Sequence, residues 1–200
     1  HSRLRPGDIK YRDLNGDGVI DDYDKMPIGF CDIPEITYGF GGAIEWKGFD
    51  VSIFFQGTAR VSLFEEGSTI VPFSSGYKNN DGFLRGVMEN RWTVDNPDPN
   101  ARYPRTIRPS DALDNNNTKK SSFWVRNAAF LRLKNAEIGY TFPKRWMEKM
   151  AIQNLRLYVS GVNLLTWAPD VHLFDPDLGS GDGRKYPPTR VFNVGLNINF

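Results

Sequence analysis

Cysteine is almost missing: Cys31 is the only one in 200 residues. An internal disulfide is therefore impossible, and no paired-cysteine metal spacing exists. Histidine is nearly as scarce, with His1 and His172 alone, so a zinc site lacks nitrogen and sulfur ligands. No charge of one sign predominates. Lys and Arg number 25 against 24 Asp and Glu, for a net charge of +1 and a pI near 8.0. A nucleic-acid surface would carry a basic excess, so no nucleic-acid partner is expected. An acidic disordered tail is excluded on the same balance. No apolar run reaches 18 residues, which excludes a membrane-spanning helix. It does not exclude a β-barrel wall, whose strands are only half apolar. Neither an initiator Met nor a charged-then-apolar leader opens the chain. It reads as a mature product or a piece of something longer.

What is present is aromatic, turn-rich and alternating. Aromatics make up 14% of the chain, and 19 Gly with 13 Pro supply turns. The first 34 residues are polar. From position 35 the pattern has period two. Ile36, Tyr38, Phe40, Gly42, Ile44 and Trp46 fall on one face, and Thr37, Gly39, Gly41, Ala43 and Glu45 on the other. Strict alternation of this length predicts a strand. Lys47-Gly48 allows a tight reversal. A second strand starts at Phe49, Val51, Ile53 and Phe55 and runs to about Leu63. A third covers about 123–142. Leu131 and Leu133 there fall on the opposite parity from Ala136, Ile138 and Tyr140, so a β-bulge is expected near Lys134 and Asn135. The fourth spans 154–167, and the last, 190–200, alternates Phe192, Val194, Leu196, Ile198 and Phe200 with Asn193, Gly195, Asn197 and Asn199. Short helices are predicted at about 82–92 and at 144–150 after Pro143.

Segments 65–122 and 168–188 show no period and read as long loops. The connections thus alternate short (47–48, 143–153) and long, and aromatics gather near strand ends at Trp46, Phe49, Phe142, Trp146, Trp167 and Phe200. That is a transmembrane-barrel pattern. A soluble β-sandwich would give the same alternation with its apolar face turned inward. Both readings stay open on pattern alone. Five strands cannot close a membrane barrel, which takes about eight or more. A membrane wall would therefore be one part of a larger barrel.

One motif carries site chemistry. Asp13-Leu-Asn15-Gly-Asp17-Gly18-Val19-Ile20-Asp21-Asp-Tyr-Asp24 has the spacing of a twelve-residue calcium loop. Ca²⁺ takes six to eight oxygens from positions 1, 3, 5, 7, 9 and 12 of such a loop. These are Asp13, Asn15, Asp17, the Val19 carbonyl, Asp21 and Asp24, with Gly18 at the sharp turn. Position 12 is Asp and not Glu, which resembles dockerin-type loops. The expected cofactor is a structural Ca²⁺ that stiffens the segment. An Asx-turn loop without metal is the alternative.

Other candidates are weaker. His172 has no nucleophile-elbow motif near it. The Gly179-Ser-Gly-Asp-Gly183 run lacks the Lys-Ser/Thr ending of a phosphate cradle. Glu65-Glu66 reads as solvent-facing, not as an acid/base pair. Loop aromatics Tyr77, Phe83, Trp92, Tyr103 and Phe174 either stack on sugar rings or meet a partner protein, or they pack the loops on themselves. Gln56, Arg156, Asn193, Asn197 and Asn199 read as the lining of a wet lumen, as contacts to a plug, or equally as generic polarity of a wall.

Two long segments carry a family resemblance. They are Phe123-Trp-Val-Arg-Asn-Ala-Ala-Phe-Leu-Arg-Leu-Lys-Asn-Ala-Glu-Ile-Gly-Tyr-Thr-Phe-Pro143 and Leu155-Arg-Leu-Tyr-Val-Ser-Gly-Val-Asn-Leu-Leu-Thr-Trp167. With Pro6-Gly-Asp-Ile-Lys-Tyr-Arg-Asp13, Arg91-Trp92 before Asn96-Pro97, Arg102-Tyr-Pro-Arg105, and Tyr186-Pro187 ahead of a strand ending in Phe200, the chain resembles the C-terminal barrel portion of SusC/RagA-type TonB-dependent outer-membrane transporters. The resemblance implies an all-β fold: about five antiparallel strands of a plugged barrel of roughly 22 strands. It implies import of glycans or other large nutrients such as peptides. The implied partners are a SusD-like surface lipoprotein, the TonB complex acting through an N-terminal part, and outer-membrane lipid, with no enzymatic role. It also implies that 1–34, 65–122 and 168–188 are extracellular and that 47–48 and 143–153 are periplasmic. A soluble calcium-dependent carbohydrate-binding β-module is the alternative.

Overall fold

The computed structural model describes residues 4–67, 70, 84–106, 116–147, 152–181 and 183–200. They form two compact units.

One unit takes in 33–61, 128–176 and 186–200. It is a single antiparallel sheet of strands β1 (Ile36–Trp46), β2 (Phe49–Ala59), β5 (Phe130–Thr141), β6 (Asn154–Trp167) and β7 (Val191–Asn199), in that spatial order. Each strand pairs with its neighbours in this order, so the topology is an up-and-down meander. Lys47 and Gly48 both have positive φ, 50° and 88°. This is the backbone of a two-residue hairpin whose twist matches its strands.

Register is what turns five patterns into one surface. Trp46 faces Phe49, Ile44 faces Val51 and Phe40 faces Phe55. Val51 then faces Ile138, which faces Val159, which faces Val194. Tyr140, Leu157 and Leu196 form the next row. The expected bulge is present. Lys134 is an extra residue of β5 where Phe54 and Phe55 face Asn135 and Leu133, and the β5–β6 register shifts at the same place. The extra residue returns Leu131 and Leu133 to the face of Ala136 and Ile138. The apolar face is therefore continuous from β1 to β7. Its side chains do not close into a core: Ile44, Phe192 and Val194 are 74%, 72% and 75% exposed, and Val51, Ile53, Ile138, Leu157 and Leu196 are exposed as well.

The second unit takes in 1–32, 62–127 and 177–185. It holds the short ladder of β3 (Ser62–Phe64) with β4 (Val125–Asn127), helix α1 (Arg85–Glu89) and three-residue 3-10 turns at Asp22–Asp24 and Asn116–Thr118. Its interior contains Leu63, Ile70, Val87, Tyr103 and Trp124.

Several expected boundaries change. The second strand does not run on to Leu63. Arg60 adopts a left-handed backbone (φ 53°), which ends β2, and 62–64 pair with a different strand. The third strand divides into β4 and β5, because Ala128 donates its N–H to Val61 O (3.0 Å) instead of continuing a ladder. The helix expected at 82–92 is confined to Arg85–Glu89, with 82–83 outside the described residues. The helix after Pro143 is α2 (Lys144–Met147), with 148–150 outside them.

Candidate functional site

Loop 13–24 is built from backbone amides pointing at its own carboxylates. Asp13 accepts from Gly16 N (2.6 Å) and Gly18 N (2.7 Å) through its two oxygens. Asn15 Oδ1 accepts from Asp17 N, and Asp17 Oδ1 from Val19 N. Asp24 closes the loop by accepting from Leu14 N (2.7 Å) and Asp21 N (2.9 Å). Asp21 caps the 3-10 turn through Tyr23 N. Gly16 and Gly18 both take positive φ, as the tight turns need. The backbone hydrogen bonds from Asp21 and Leu14 hold the Asp24 carboxyl below its ordinary value. All six expected ligands thus lie on one closed loop, and every donor is oxygen, the chemistry that suits Ca²⁺. Among the described residues no three His, Cys, Asp or Glu side chains converge as a metal cluster. The carboxylates are instead engaged with the loop's own amides.

The polar face of the large sheet carries an ion cluster. Arg156 on β6 reaches across β5 to Asp50 on β2, donating from Nε at 3.0 Å and from Nη2, and its Nη2 also donates to Glu137 (2.6 Å). The reach is possible because Gly139 lies beneath it, between Asp50 and Tyr158 in register; a Cβ there would collide with the guanidinium and with Asp50. The same guanidinium lies 4.9 Å over the Tyr158 ring, and that ring covers Gly195 of β7. Arg156 was expected as lumen lining; it is on the polar face but held by two carboxylates. Beyond the bulge, Arg132 is almost fully buried and donates to Asp175 at 2.6 Å. This pair edges a cleft of about 360 Å³ that His172, Phe174, Thr166 and Arg190 also line.

The second unit contains buried charge that the sequence did not announce. Glu65 was expected at a solvent-facing rim, but it is 1% exposed. Arg126 donates to it at 2.9 Å, and Arg102 lies 3.6 Å away. The β3–β4 pairing places Glu65 beside Arg126, which is itself buried. Its neighbour Glu66 is half-exposed and pairs with Lys120. Asp8 forms a comparable knot. It accepts from Arg105, from Asn117 Nδ2 (2.9 Å) and from Arg5 N (2.8 Å). Burial alone would raise the Asp8 carboxyl, but Arg105 and the other donors outweigh it and hold it below the ordinary value. Of the loop aromatics, Tyr103 is buried beside Trp124, and Trp92 packs over Gly7. Phe174 lines the cleft described above. Tyr77 and Phe83 lie outside the described residues.

These features define a class: a stretch of antiparallel β-barrel wall, apolar on one face and polar on the other, joined to a loop unit stiffened by buried ion pairs. No protein-family model matches the chain. A TonB-dependent receptor of Formosa agariphila is 30% identical over 208 residues, covering 97% of this chain and 20% of the receptor. A second receptor of that organism is 31% identical over 208 residues, covering 98% and 19%. TonB-dependent receptor SusC of Bacteroides thetaiotaomicron is 26% identical over 205 residues, covering 98% and 18%. Among solved structures, the RagAB peptide importer in its closed-closed state superposes with a TM-score of 0.67 at 22% identity, over 91% of this chain and 19% of that one. A further RagAB peptide transporter structure gives 0.64 at 23% identity, over 91% and 19%. At these identities the structures speak for the fold. The chain spans about a fifth of the length of the relatives it matches. Over its whole length it is a relative of the SusC/RagA-type TonB-dependent receptors, and like them a protein of the Gram-negative outer membrane.

Proposed function

We propose that this chain is the C-terminal wall of a TonB-dependent importer of large nutrients, glycans or peptides. It works with a SusD-like surface lipoprotein above it and with TonB below, through parts of the receptor outside this chain. It has no enzymatic role. The observation that carries the reading is the continuous apolar face, whose side chains stay exposed where a soluble sandwich would bury them. Hydrocarbon is the solvent that makes such a face stable, provided every backbone group is paired in a closed wall. The soluble carbohydrate-binding alternative requires that same face to be covered. The segments 1–34, 65–122 and 168–188 lie outside the cell, and the turns at 47–48 and 143–153 lie in the periplasm.

Orientation is testable in intact cells producing the whole receptor. With Cys31→Ser as background, Ser180→Cys reacts with a membrane-impermeant maleimide on whole cells. Lys47→Cys reacts only after the outer membrane is permeabilised. Labelling of both on whole cells, or recovery of the receptor in the soluble fraction, defeats the reading.

Loop 13–24 is proposed to hold Ca²⁺ with Asp13, Asn15, Asp17, the Val19 carbonyl, Asp21 and Asp24. The support is its all-oxygen donor set on a loop already closed by Asp13 and Asp24. Bound calcium would neutralise the carboxylates and stiffen the segment. Calorimetric titration of the detergent-solubilised receptor with CaCl₂ should give heat that disappears in Asp13→Asn. Identical titrations of the two proteins at millimolar metal reject the site.

A further inference from the structure

We propose that the cleft beside Arg132 and Asp175 is a subsite for one acidic sugar ring, a pyranose bearing a carboxylate. This rests on the importer reading above and adds a ligand chemistry to it. The cleft lies within the sheet unit, at the end of β5 and β6 that leads into 168–188. Arg132 and Thr166 stand opposite in register there, on the polar face. Segment 168–176 folds back over Arg132, whose guanidinium donates to Asp175 at 2.6 Å and is almost fully buried. On the importer reading this end is the outer mouth of the lumen. At about 360 Å³ the cleft is near the small end of ligand pockets, about 300–1,000 Å³. It suits one ring and not a folded chain.

Two observations point to the ligand. The first is an acceptor without a donor. Val162 pairs with Asn135 and Leu165 with Leu133, so Asn163 and Leu164 oppose Lys134 alone. β6 therefore bulges here, and Asn163 takes a left-handed backbone (φ 54°). Bulges re-aim side chains, and this one makes Asn163 part of the cleft wall. Its Nδ2 donates to Thr189 O at 3.0 Å, which fixes the residue before Arg190 against it. Its Oδ1 is buried and accepts from no described residue. An acceptor left in that state costs about 1–3 kcal/mol, and a ligand hydroxyl would satisfy it. The second observation is charge. Among the residues that line the cleft, the formal charges are Arg132 and Arg190 against Asp175. Asp175 pairs with Arg132, so the Arg190 guanidinium is the positive charge in excess, and a carboxylate is its geometric match. A hydroxyl for Asn163 and a carboxylate for Arg190 occur together on a uronic acid ring. Phe174 and Pro188 add apolar surface for the C–H face of that ring. A peptide terminus fits less well, because it is captured in nests of backbone amides, whereas the charge here is a guanidinium and the open acceptor is a side-chain amide.

The test uses the whole receptor, purified in a neutral detergent and titrated with methyl glucuronide, methyl glucoside or trialanine under ligand-observed saturation-transfer NMR. The two sugars differ only in a carboxylate replacing a hydroxymethyl group. The glucuronide should bind at least about tenfold more tightly, since hydrogen bonds to charged groups exceed neutral ones. Arg190→Gln should remove that preference and leave the glucoside unchanged. Asn163→Gly keeps the left-handed backbone available and should weaken both sugars about fivefold, the loss of one neutral hydrogen bond. Asn163→Asp also tolerates that backbone but puts a carboxylate into the cleft, and should turn the preference toward the glucoside. Lys25→Gln, which removes an exposed positive charge in the other unit, should change nothing. Equal affinity for the two sugars overturns the proposal. So does a preference that survives Arg190→Gln or Asn163→Asp, or displacement of the glucuronide by an equal concentration of acetate or trialanine. Failure of the importer reading shows elsewhere, in the labelling of Ser180→Cys and Lys47→Cys on whole cells.

Discussion

Ile53→Arg places a guanidinium in the middle of the apolar face. Ile53 is central in β2, with Gly42 on one side and Ala136 on the other, both small. It is 44% exposed on that face. Full transfer of such a side chain out of water is worth about 1.5–3 kcal/mol, so the exposed share contributes about 1 kcal/mol when the surrounding medium is hydrocarbon. Replacing it by Arg forfeits that and adds the cost of a cation near the bilayer midplane, for a total of about 2–4 kcal/mol. The folding equilibrium in lipid should shift by roughly 30- to 700-fold at about 1.4 kcal/mol per decade. The neighbouring change Ser52→Arg points to the polar face and should cost under about 1 kcal/mol, because water or polar protein meets that face. The assay is reversible guanidinium unfolding of the whole receptor in phospholipid vesicles, followed by fluorescence and by protease protection. A larger loss for Ser52→Arg than for Ile53→Arg would mean that the faces are assigned the wrong way round. Equal small losses would mean that neither face meets lipid.

Three further outcomes follow from the polar chemistry. Gly139→Ala drives a methyl into Arg156 and Asp50; the overpacking should cost about 1–3 kcal/mol, read as a lower melting temperature that Arg156→Ala partly restores. Glu65→Gln leaves Arg126 buried without its counter-charge and should destabilise the loop unit by about 3–5 kcal/mol, read as earlier proteolysis of that unit while the sheet stays protected. Asp8 has a carboxyl held below its ordinary value of 3.8 in the folded state by Arg105, Arg5 N and Asn117 against the opposing effect of burial. Its stabilisation is therefore complete above about pH 4 and is lost as pH falls through the lower folded value. Hydrogen exchange should show 5–9 and 104–106 opening on that acid limb, and Asp8→Asn should flatten the dependence; an unchanged acid profile in Asp8→Asn would refute it.

Much of the wall was legible in residue order, because strand side chains alternate with period two and nothing tertiary can change which residues share a face within a regular strand. Ile36 to Trp46 and Phe192 to Phe200 announced their faces directly. The parity break between Leu133 and Ala136 announced the bulge at Lys134, since a fixed apolar face allows only an inserted residue to reconcile the two halves. The twelve-residue spacing of Asp13 to Asp24 announced a closed loop, because its turns and hydrogen bonds are local. Contacts between distant residues were not legible. Glu65 reads as an exposed acid until the β3–β4 pairing brings Arg126 beside it, 61 residues away. Arg156 reads as free lumen polarity until register sets Gly139 under it and Asp50 within reach, 106 residues away. The break at Arg60 was hidden because a left-handed backbone in a non-glycine residue is imposed by what the chain joins on either side. The sequence alone determined the five long strands of the sheet, though not all their ends, together with their two faces and the calcium spacing of loop 13–24, all set by near neighbours. Only the tertiary structure decided which strands lie side by side, that the apolar face stays open, and which charges find each other, because these depend on register between segments whose separation along the chain carries no local signal.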